Sequence, residues 1–256
     1  MTAIALQEVS MRFGTGARSV VALESANLEI ASREIVSIVG PSGCGKTTVL
    51  NLVAGFLQPT EGTILVGGRP AGPPGSDRTV VFQADAVFPW LSVRKNLEYG
   101  PKVQGKPSRS YSARVDHFLD RVGLTSFADA YPKTLSGGMR KRVDLARAYV
   151  GDPDILLMDE PFGALDVFTK EAMWRVLSDI LMEERKTVVF VTHDIEEAII
   201  IADRVIVMTP RPAQVAADFR VPFEFPRHLE LRASPAFQAM RTDITELLRD
   251  RIGQRL

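Results

Sequence analysis

The sequence has little of what would place a protein outside the cell, within a membrane or on nucleic acid. Cys44 is the only cysteine among 256 residues, which excludes an intramolecular disulfide and indicates a reducing compartment. No apolar run reaches the roughly 20 residues that span a bilayer, and the N-terminal stretch shows no secretory signal. Basic and acidic side chains number 31 each, without the basic excess typical of nucleic-acid-binding proteins. We expect a soluble chain that takes any membrane role through a partner.

Apolar material is sufficient for a sizeable core, since 45% of the residues are hydrophobic and 24% are charged. Strand patterns alternate with helix patterns, which predicts an α/β fold with a mostly parallel sheet. In the strand pattern of residues 21–30, Leu23, Leu28 and Ile30 are expected on one face. The continuous apolar run 35–39 predicts a central strand that is buried on both faces.

Three other stretches define the expected organisation. Residues 47–56 have the apolar spacing of a helix, and the glycine- and proline-rich stretch 67–77 is expected to be only a loop. Residues 92–151 are mostly helical in pattern and lie between two strand patterns. This arrangement predicts a helical subdomain inserted into the sheet.

One glycine-rich segment fits the pattern G-x-x-x-x-G-K-[ST] between an apolar strand and a helix. It consists of Gly40, Pro41, Ser42, Gly43, Cys44, Gly45, Lys46 and Thr47. Glycines let backbone N–H groups turn around phosphate oxygens, and the N-terminus of the following helix attracts the same anion. Lys46 can then reach the β- and γ-phosphates, and Thr47 can ligate Mg²⁺. The segment predicts a nucleoside triphosphate site rather than a chance glycine turn.

Polar residues also follow two later apolar strands. Asp159 is expected to hold Mg²⁺ and Glu160 to deprotonate an attacking water, although such a pair alone is also typical of a strand that ends in solvated acids. His193 follows the run VVFVT, at the strand end where parallel sheets bind ligands. His117 and His228 lack such a context and are expected at the surface.

The segment Leu135-Ser136-Gly137-Gly138-Met139 places two poor helix formers at the start of a predicted helix. Ser136 is a good N-cap, and the glycines are explained if this helix end must approach an anion closely. With Gln83, Ala164-Leu165-Asp166 and Thr192-His193-Asp194, the set resembles the ATPase subunits of ABC transporters. The resemblance covers about residues 4–210.

This resemblance implies the α/β P-loop NTPase fold of ABC ATPases. It consists of a RecA-like parallel-sheet core, an antiparallel β subdomain and an inserted α-helical subdomain. We expect one ATPase domain over residues 1–230, with the helical subdomain at about 88–150. Residues 231–256 are expected to form a C-terminal helical tail packed on that domain rather than a sensor.

The resemblance also implies roles for single residues, with ATP and Mg²⁺ as cofactors. Phe13 would stack on adenine, with a simply packed phenylalanine as the alternative. The other nucleotide contacts would come from Gly40, Pro41, Ser42, Gly43, Cys44, Gly45, Lys46, Thr47 and Thr48, and from Ser136, Gly137, Gly138 and Asp166 across a dimer interface. Mg²⁺ would be held by Thr47, Gln83 and Asp159. The catalytic residues would be Glu160, His193, Lys46 and Gln83.

Several stretches are most similar to the nitrate, sulfonate and taurine branch of ABC importers, and nearest to the taurine and aliphatic-sulfonate ATPases. In that branch two copies of the ATPase pair head to tail on integral-membrane permease subunits. A periplasmic or extracellular solute-binding protein supplies the cargo. The resemblance thus implies a peripheral protein on the cytoplasmic face of the inner or plasma membrane, without nucleic acid. The cargo itself is not specified by the sequence.

Three details accompany this interpretation. Met139 stands where the family usually has glutamine, which removes a polar contact near the nucleotide but leaves the serine and glycines intact. Val87, Phe88, Trp90 and Leu91 form an apolar cluster expected to serve both as subdomain core and as a permease docking surface. Cys44 is expected to make the enzyme sensitive to thiol reagents.

Two other interpretations remain open at this point. A soluble ABC ATPase that acts on DNA or ribosomes would share the same motifs, but such members usually carry two cassettes or a long coiled-coil insertion, neither of which is present. A P-loop kinase or GTPase would leave Leu135-Ser136-Gly137-Gly138 unexplained, and the sequence has no guanine-reading NKxD motif.

Overall fold

The larger sheet consists of six strands in the order β10-β9-β3-β8-β7-β6. The computed structural model describes residues 2–16 and 19–253, so the predicted limits at residues 1 and 256 lie outside it. Neighbouring strands run parallel except β10, which pairs antiparallel with β9. The strands are β3 (Ile35–Val39), β6 (Arg78–Val81), β7 (Ile155–Asp159), β8 (Thr187–Val191), β9 (Arg204–Met208) and β10 (Val215–Arg220). All five residues of β3 are buried, as predicted, because parallel sheets are covered on both faces.

The second sheet is antiparallel and has the order β2-β1-β4-β5. Its strands are β1 (Thr2–Phe13), β2 (Val20–Ala31), β4 (Glu61–Val66) and β5 (Arg69–Pro70). The short strand β5 corrects the prediction that 67–77 is only a loop. Gly67 and Gly68 both have positive φ, 57° and 76°, and two such residues make the tight turn that pairs Val66 with Arg69.

A bulge in β2 explains how Leu23 and Leu28 can share a face. Their odd separation would put them on opposite faces of a regular strand. The pairing with β1 shifts between Ala26 and Leu23, and Ser25 there adopts a φ of 45°. The extra residue reverses the alternation, so Leu23, Leu28 and Ile30 are all buried.

Seven α-helices accompany the sheets within the described residues. They are α1 (Lys46–Ala54), α2 (Val93–Val103), α3 (Ser112–Arg121), α4 (Gly137–Val150), α5 (Val167–Glu183), α6 (Ile195–Ile201) and α7 (Pro235–Gly253). α1 ends two residues before the predicted Phe56, because Gly55 turns left-handed with a φ of 81°. Helices α2 to α4 lie between β6 and β7 in the chain. Within residues 2–16 and 19–253, none of the helices is long and apolar enough to cross a bilayer.

The C-terminal helix α7 packs on the main core. Phe237, Met240 and Ile244 are buried within the same apolar cluster as the helices of the large sheet. Before α7, the buried Arg227 donates to the carbonyl oxygens of Ile200 and Ala202 at the end of α6, at 3.2 and 2.8 Å. A cation is favourable at the C-terminal end of a helix, so Arg227 attaches the segment before α7 to α6.

Candidate functional site

The polar residues singled out from the sequence meet at the carboxyl edge of the parallel sheet. The segment 40–47 follows β3, Asp159 ends β7, His193 follows β8 and Gln83 follows β6. Val81 pairs with Met158 and Asp159 pairs with Val191 in the sheet, so the strands end at a common level. Ligands of parallel α/β sheets bind at this edge.

The segment 40–47, which we call the cradle, has the backbone of an anion site. Gly43 and Gly45 have φ values of 73° and 119°, which residues with a Cβ rarely adopt. A Cβ on Gly45 would also lie 3.1 Å from the carbonyl oxygen of Ala22. No side chain caps the first turn of α1, so its N–H groups are available to an anion.

Lys46 contributes a buried positive charge to the cradle. Its side chain turns back so that Nζ donates to the carbonyl oxygens of Gly40 and Pro41, at 2.8 and 3.2 Å. The residue is only 5% exposed, and within residues 2–16 and 19–253 no carboxylate forms an ion pair with it. A buried cation needs a compensating anion, so this loop fits a bound phosphate group.

The thiol of Cys44 is buried against the cradle residue Gly40, where a Cβ would lie 2.9 Å from Cys44 Sγ. Cys44 is 2% exposed and lies in the apolar cluster between the two sheets, and this burial raises the pKa of the thiol. A buried thiol with a raised pKa reacts slowly, because the thiolate is the nucleophile. The burial of the thiol argues against the expected sensitivity to thiol reagents, and it leaves the backbone of Cys44 as the candidate nucleotide contact.

Thr47 and Asp159 supply two adjacent oxygen atoms at the edge of the cradle. Thr47 Oγ1 donates to Asp159 Oδ1 at 3.1 Å, although 112 positions separate them in the chain. Burial raises the pKa of Asp159, while the hydrogen bond from Thr47 acts against this shift. The described residues contain no group of three or more His, Cys, Asp or Glu suited to a metal. A site with few protein ligands suits Mg²⁺, because phosphate oxygens and water complete the coordination of this ion.

Glu160 and His193 form a second pair beside the cradle. Glu160 Oε2 lies 3.0 Å from His193 Nδ1, and the Glu160 N–H donates to the carbonyl oxygen of Val191 at 2.9 Å. Glu160 has a φ of 42°, a conformation that costs energy in a residue with a Cβ and is concentrated at functional sites. The fold thus places a carboxylate and an imidazole next to each other at the carboxyl edge of the sheet.

Ser136 and Asp166 both cap helices, and the two helix starts lie side by side. Ser136 Oγ accepts from the N–H of Met139 at 3.2 Å, as predicted for an N-cap. Asp166 Oδ1 accepts from the N–H of Thr169 at 3.0 Å, and its hydrogen bonds with Thr169 lower the pKa of Asp166. A Cβ on Gly138 would lie 2.7 Å from Thr169 Cγ2. Close approach of α4 to α5 is therefore one reason for glycine at 138.

This second group is not joined to the cradle. In the described part of the chain, no hydrogen bond or ion pair links Ser136, Gly137, Gly138 or Asp166 to the segment 40–48. Ser136 and Gly137 are at least partly open to solvent. The structure therefore brings together the residues predicted around the phosphates and places the predicted cross-dimer residues elsewhere.

The remaining predicted positions lie at the surface around the site. Phe13, at the end of β1, is 40% exposed, which disfavours the alternative of a packed phenylalanine. Gln83 is exposed. Met139 packs partly buried against the main core. His117 and His228 are exposed, as predicted.

Three sets of residues near the site were not predicted. Glu197 is buried on the apolar face of α6 and accepts from Trp174 Nε1 at 2.8 Å and from Thr192 Oγ1. The sequence signal for its burial was the position of Glu197, which lies at helical spacing from the isoleucines of α6. Arg211 Nε donates to the cradle carbonyl of Gly43, a contact without a sequence signal. Charged residues of α4 contact the backbone beside Gln83, as described below.

Comparisons with known proteins agree with this geometry. The ABC transporter family matches residues 23–163. An ATP-binding protein of Brucella abortus (strain 2308) is 49% identical over 241 residues, which cover 94% of this chain and 91% of the relative. A taurine import ATP-binding protein of Jannaschia sp. (strain CCS1) is 45% identical, and the match covers 98% of this chain and 95% of the relative.

A solved structure has the same architecture. It is a dimeric ATP-binding cassette in a post-hydrolysis state bound to ADP and Pi, 31% identical, with a TM-score of 0.72. The match covers 86% of this chain and all of the other. The predicted fold class, a parallel-sheet core with an antiparallel sheet and inserted helices, is confirmed. On the sequence match and the geometry of the cradle, the chain belongs to the ABC transporter family, as an ATP-binding ATPase subunit.

Proposed function

We propose that this chain hydrolyses ATP to energise an importer of small anions, such as a sulfonate, taurine or nitrate. The observation that carries the ATPase part is the convergence of Lys46, Thr47, Asp159, Glu160 and His193 at one sheet edge. The cargo class is supported by the relative named for taurine import. It does not follow from any residue of this chain.

In the proposed complex, ATP lies in the cradle with its adenine on the exposed ring of Phe13. Backbone N–H groups and the start of α1 bind the phosphates, and the Lys46 ammonium lies against the β- and γ-phosphates. The proposed contacts in this subunit are Phe13, Gly40, Pro41, Ser42, Gly43, Cys44, Gly45, Lys46, Thr47 and Thr48. Thr47, Asp159 and Gln83 are the proposed ligands of Mg²⁺, which supplies charge neutralisation on the phosphates when bound.

Glu160 is the proposed general base. Its carboxylate orients a water and accepts a proton from it, while the water oxygen forms a bond to the γ-phosphorus and the bond to the β,γ-bridging oxygen breaks. His193 Nδ1 lies 3.0 Å from this carboxylate, so the imidazole can hold Glu160 and reach the γ-phosphate oxygens. Lys46 stabilises the charge that develops on the phosphates.

Two copies of the chain are proposed to pair head to tail. Ser136, Gly137 and Gly138 are unconnected to the cradle of their own chain, and the start of α4 is suited to an anion. A second copy would place this element against the γ-phosphate bound in the first cradle, with Asp166 at the interface. The dimeric state of the cassette solved with ADP and Pi supports the arrangement.

A permease is the proposed membrane partner, on whose cytoplasmic side the ATPase would lie as a peripheral subunit. Trp90 is 69% exposed and its ring lies 5.6 Å from that of Phe88. Phe88 in turn lies 4.4 Å from Tyr99, beside a cavity of about 180 Å³ that also includes Asp144 and Arg147. Exposed aromatic side chains beside a cavity suit a docked helix. A solute-binding protein would act only through the permease.

The alternative of an ABC ATPase that acts on DNA or ribosomes has less support. The net charge is zero, whereas such partners call for a basic surface. The name of the relative from Jannaschia refers to import. We therefore propose no nucleic-acid partner.

A pull-down from native membranes tests the transporter part. Tagged Glu160→Gln protein is incubated with MgATP in mild detergent, with Lys46→Ala, which is expected to bind ATP more weakly, as the matched variant. We expect a multi-span permease with the first variant and less of it with the second. Recovery of DNA or ribosomes without any membrane protein would contradict the proposal and leave the ATPase chemistry untouched.

A further inference from the structure

Charged side chains on α4 form hydrogen bonds with the backbone of the loop that carries Gln83. We define the α4 clamp as Lys141, Asp144 and Arg147. The side chains of Lys141 and Asp144 are only 3% and 2% exposed, and burial lowers the pKa of the Lys141 ammonium and raises that of the Asp144 carboxyl. Buried charges are costly unless they are paired and hydrogen-bonded. Their partners therefore indicate what the clamp holds.

Lys141 holds the backbone at Gln83 itself. Its Nζ donates to the carbonyl oxygen of Phe82 at 2.9 Å and to that of Gln83 at 3.1 Å. The two carbonyls precede and follow the N–H of Gln83 in the chain, so one cation fixes both peptide planes that flank the Gln83 Cα. The direction of the Gln83 side chain depends on these planes.

Asp144 and Arg147 hold the same loop three residues further on. Asp144 Oδ2 accepts from the N–H of Ala86 at 3.0 Å, and Arg147 Nη1 donates to the Ala86 carbonyl oxygen at 2.7 Å. Arg147 Nη2 and Asp144 Oδ1 form an ion pair at 2.9 Å, and Lys141 Nζ lies 3.9 Å from Asp144. The carboxylate between two cations thus completes the clamp.

The position of the clamped loop relates it to the reaction. Val81 pairs with Met158 at the end of β6 and β7, so Gln83 leaves the sheet beside Asp159 and Glu160. A shift of the loop by about 1 Å would misplace the Gln83 amide, and such shifts can cost catalysis heavily. The clamp residues lie on the helix whose N-cap is Ser136, so both candidate sites share one support.

We propose that the α4 clamp positions Gln83 for ATP hydrolysis, with Lys141 as the principal positioning residue. The inference rests on the proposed role of Gln83 as a ligand of Mg²⁺. A clamp that only attached the helical insert to the sheet would affect stability. It would leave turnover by the folded protein unchanged.

The test compares Lys141→Met, Gln83→Ala and the double variant in the full-length ATPase. Lys141→Met keeps the length of the side chain and leaves Asp144 paired with Arg147. We expect each single change to lower kcat about 10-fold, to leave the KM for ATP within about twofold, and to raise the Mg²⁺ concentration for half-maximal activity. The double variant should be no slower than the slower single variant.

Two further variants complete the experiment. Lys141→Arg keeps a donor cation and is expected to recover at least half of the lost kcat. Lys102→Met removes an exposed lysine of α2 and is expected to behave as the wild type. Thermal unfolding checks that each variant is folded, and if Lys141→Met is not, Lys141→Leu, which also lacks a donor, takes its place with the same expectations.

The outcomes separate the clamp from the role of Gln83. Wild-type kcat in Lys141→Met beside an impaired Gln83→Ala overturns the clamp alone. Losses that multiply to about 100-fold in the double variant also overturn it, because the two residues then act independently. Wild-type kcat in Gln83→Ala overturns the proposed role of Gln83, while the role of Glu160 is tested separately.

Discussion

The two groups of predicted site residues differ in how far a single chain completes them. Around the cradle, contacts within the chain join the parts: Thr47 bonds Asp159 at 3.1 Å and Glu160 lies 3.0 Å from His193. Among residues 2–16 and 19–253, the group at the starts of α4 and α5 forms hydrogen bonds with its own helices, such as Ser136 with Met139 and Asp166 with Thr169, and none with the cradle. One group is thus assembled by folding, whereas the other is proposed to act on the nucleotide of a second molecule.

This difference predicts separable effects. Changes in the first group should affect nucleotide binding or chemistry in every molecule. Changes in the second group should leave the isolated chain able to bind ATP and should affect only steps that need a pair of chains. The following variants, in decreasing order of expected effect, test that separation.

The largest effect is expected for Glu160→Gln. The amide cannot accept the proton of the attacking water, so kcat should fall by roughly 10² or more while ATP still binds. ATPase turnover and ATP affinity are measured on the same preparation, with the exposed Glu230→Gln as the control. Near-normal turnover would remove Glu160 from the role of base.

Lys46→Ala should weaken ATP binding itself. The ammonium is the buried positive charge of the cradle, and charge-assisted hydrogen bonds contribute about 1.5–3 kcal/mol each, which corresponds to about 10-fold to 100-fold in Kd. Equilibrium binding of a fluorescent ATP analogue measures the change. An unchanged Kd contradicts the assignment of the cradle.

Ser136→Ala should separate the two groups most clearly. We expect kcat to fall about 10-fold through the loss of one hydrogen bond to a charged phosphate, with an unchanged Kd for ATP in the isolated chain. The lost N-cap also costs about 1 kcal/mol of stability, so assays are run well below the unfolding temperature. Ser136→Thr retains hydroxyl and cap and is expected to restore activity. A raised Kd for ATP in Ser136→Ala would place the serine in its own cradle instead.

The raised pKa of Asp159 predicts a pH dependence of Mg²⁺ use. The carboxyl must lose its proton to hold the cation, and burial shifts that loss to higher pH than in an ordinary aspartate. As the pH is lowered towards this pKa, the Mg²⁺ concentration for half-maximal ATPase activity should rise several-fold. Magnesium titrations at a series of pH values measure it. The same rise in Asp159→Asn would assign the effect to another group.

Met139→Gln should have the smallest effect. The Met139 side chain packs partly buried against the main core, and only its N–H serves Ser136. Restoring the glutamine usual in the family should change kcat by less than about twofold, as for a substitution without new partners. A gain of tenfold or more would show that position 139 contributes a polar contact to the reaction.

The meeting of the candidate site residues at one sheet edge was easier to predict from the sequence than the contacts that support them. Contacts to the phosphates depend on backbone geometry, which glycines in a short segment such as 40–47 reveal directly. The clamp of Lys141 on Gln83 joins residues 58 positions apart, and nothing local to α4 distinguishes a buried lysine from a solvated one. The burial of Cys44 was missed for the same reason, since it depends on an apolar cluster whose members are distant in the chain.

Local backbone details were likewise beyond sequence patterns. The bulge at Ser25 depends on pairing between two strands, and the short strand β5 depends on the turn at Gly67 and Gly68. Both lie in the antiparallel sheet, where register decides which face a side chain occupies. The central strand β3 was predicted correctly because both of its faces are buried. The burial of its side chains therefore does not depend on register.

The mass of the protein in solution tests most directly the claim that one chain holds only part of the site. Glu160→Gln is measured by sedimentation with and without MgATP, beside Glu160→Gln/Ser136→Asp. Aspartate keeps the N-cap but places a negative charge against the partner's phosphate. We predict that the single variant shifts with MgATP from the 28.2 kDa monomer to a dimer, whereas the double variant binds ATP and stays monomeric. A dimer that forms equally well in both, or without ATP, would contradict the account.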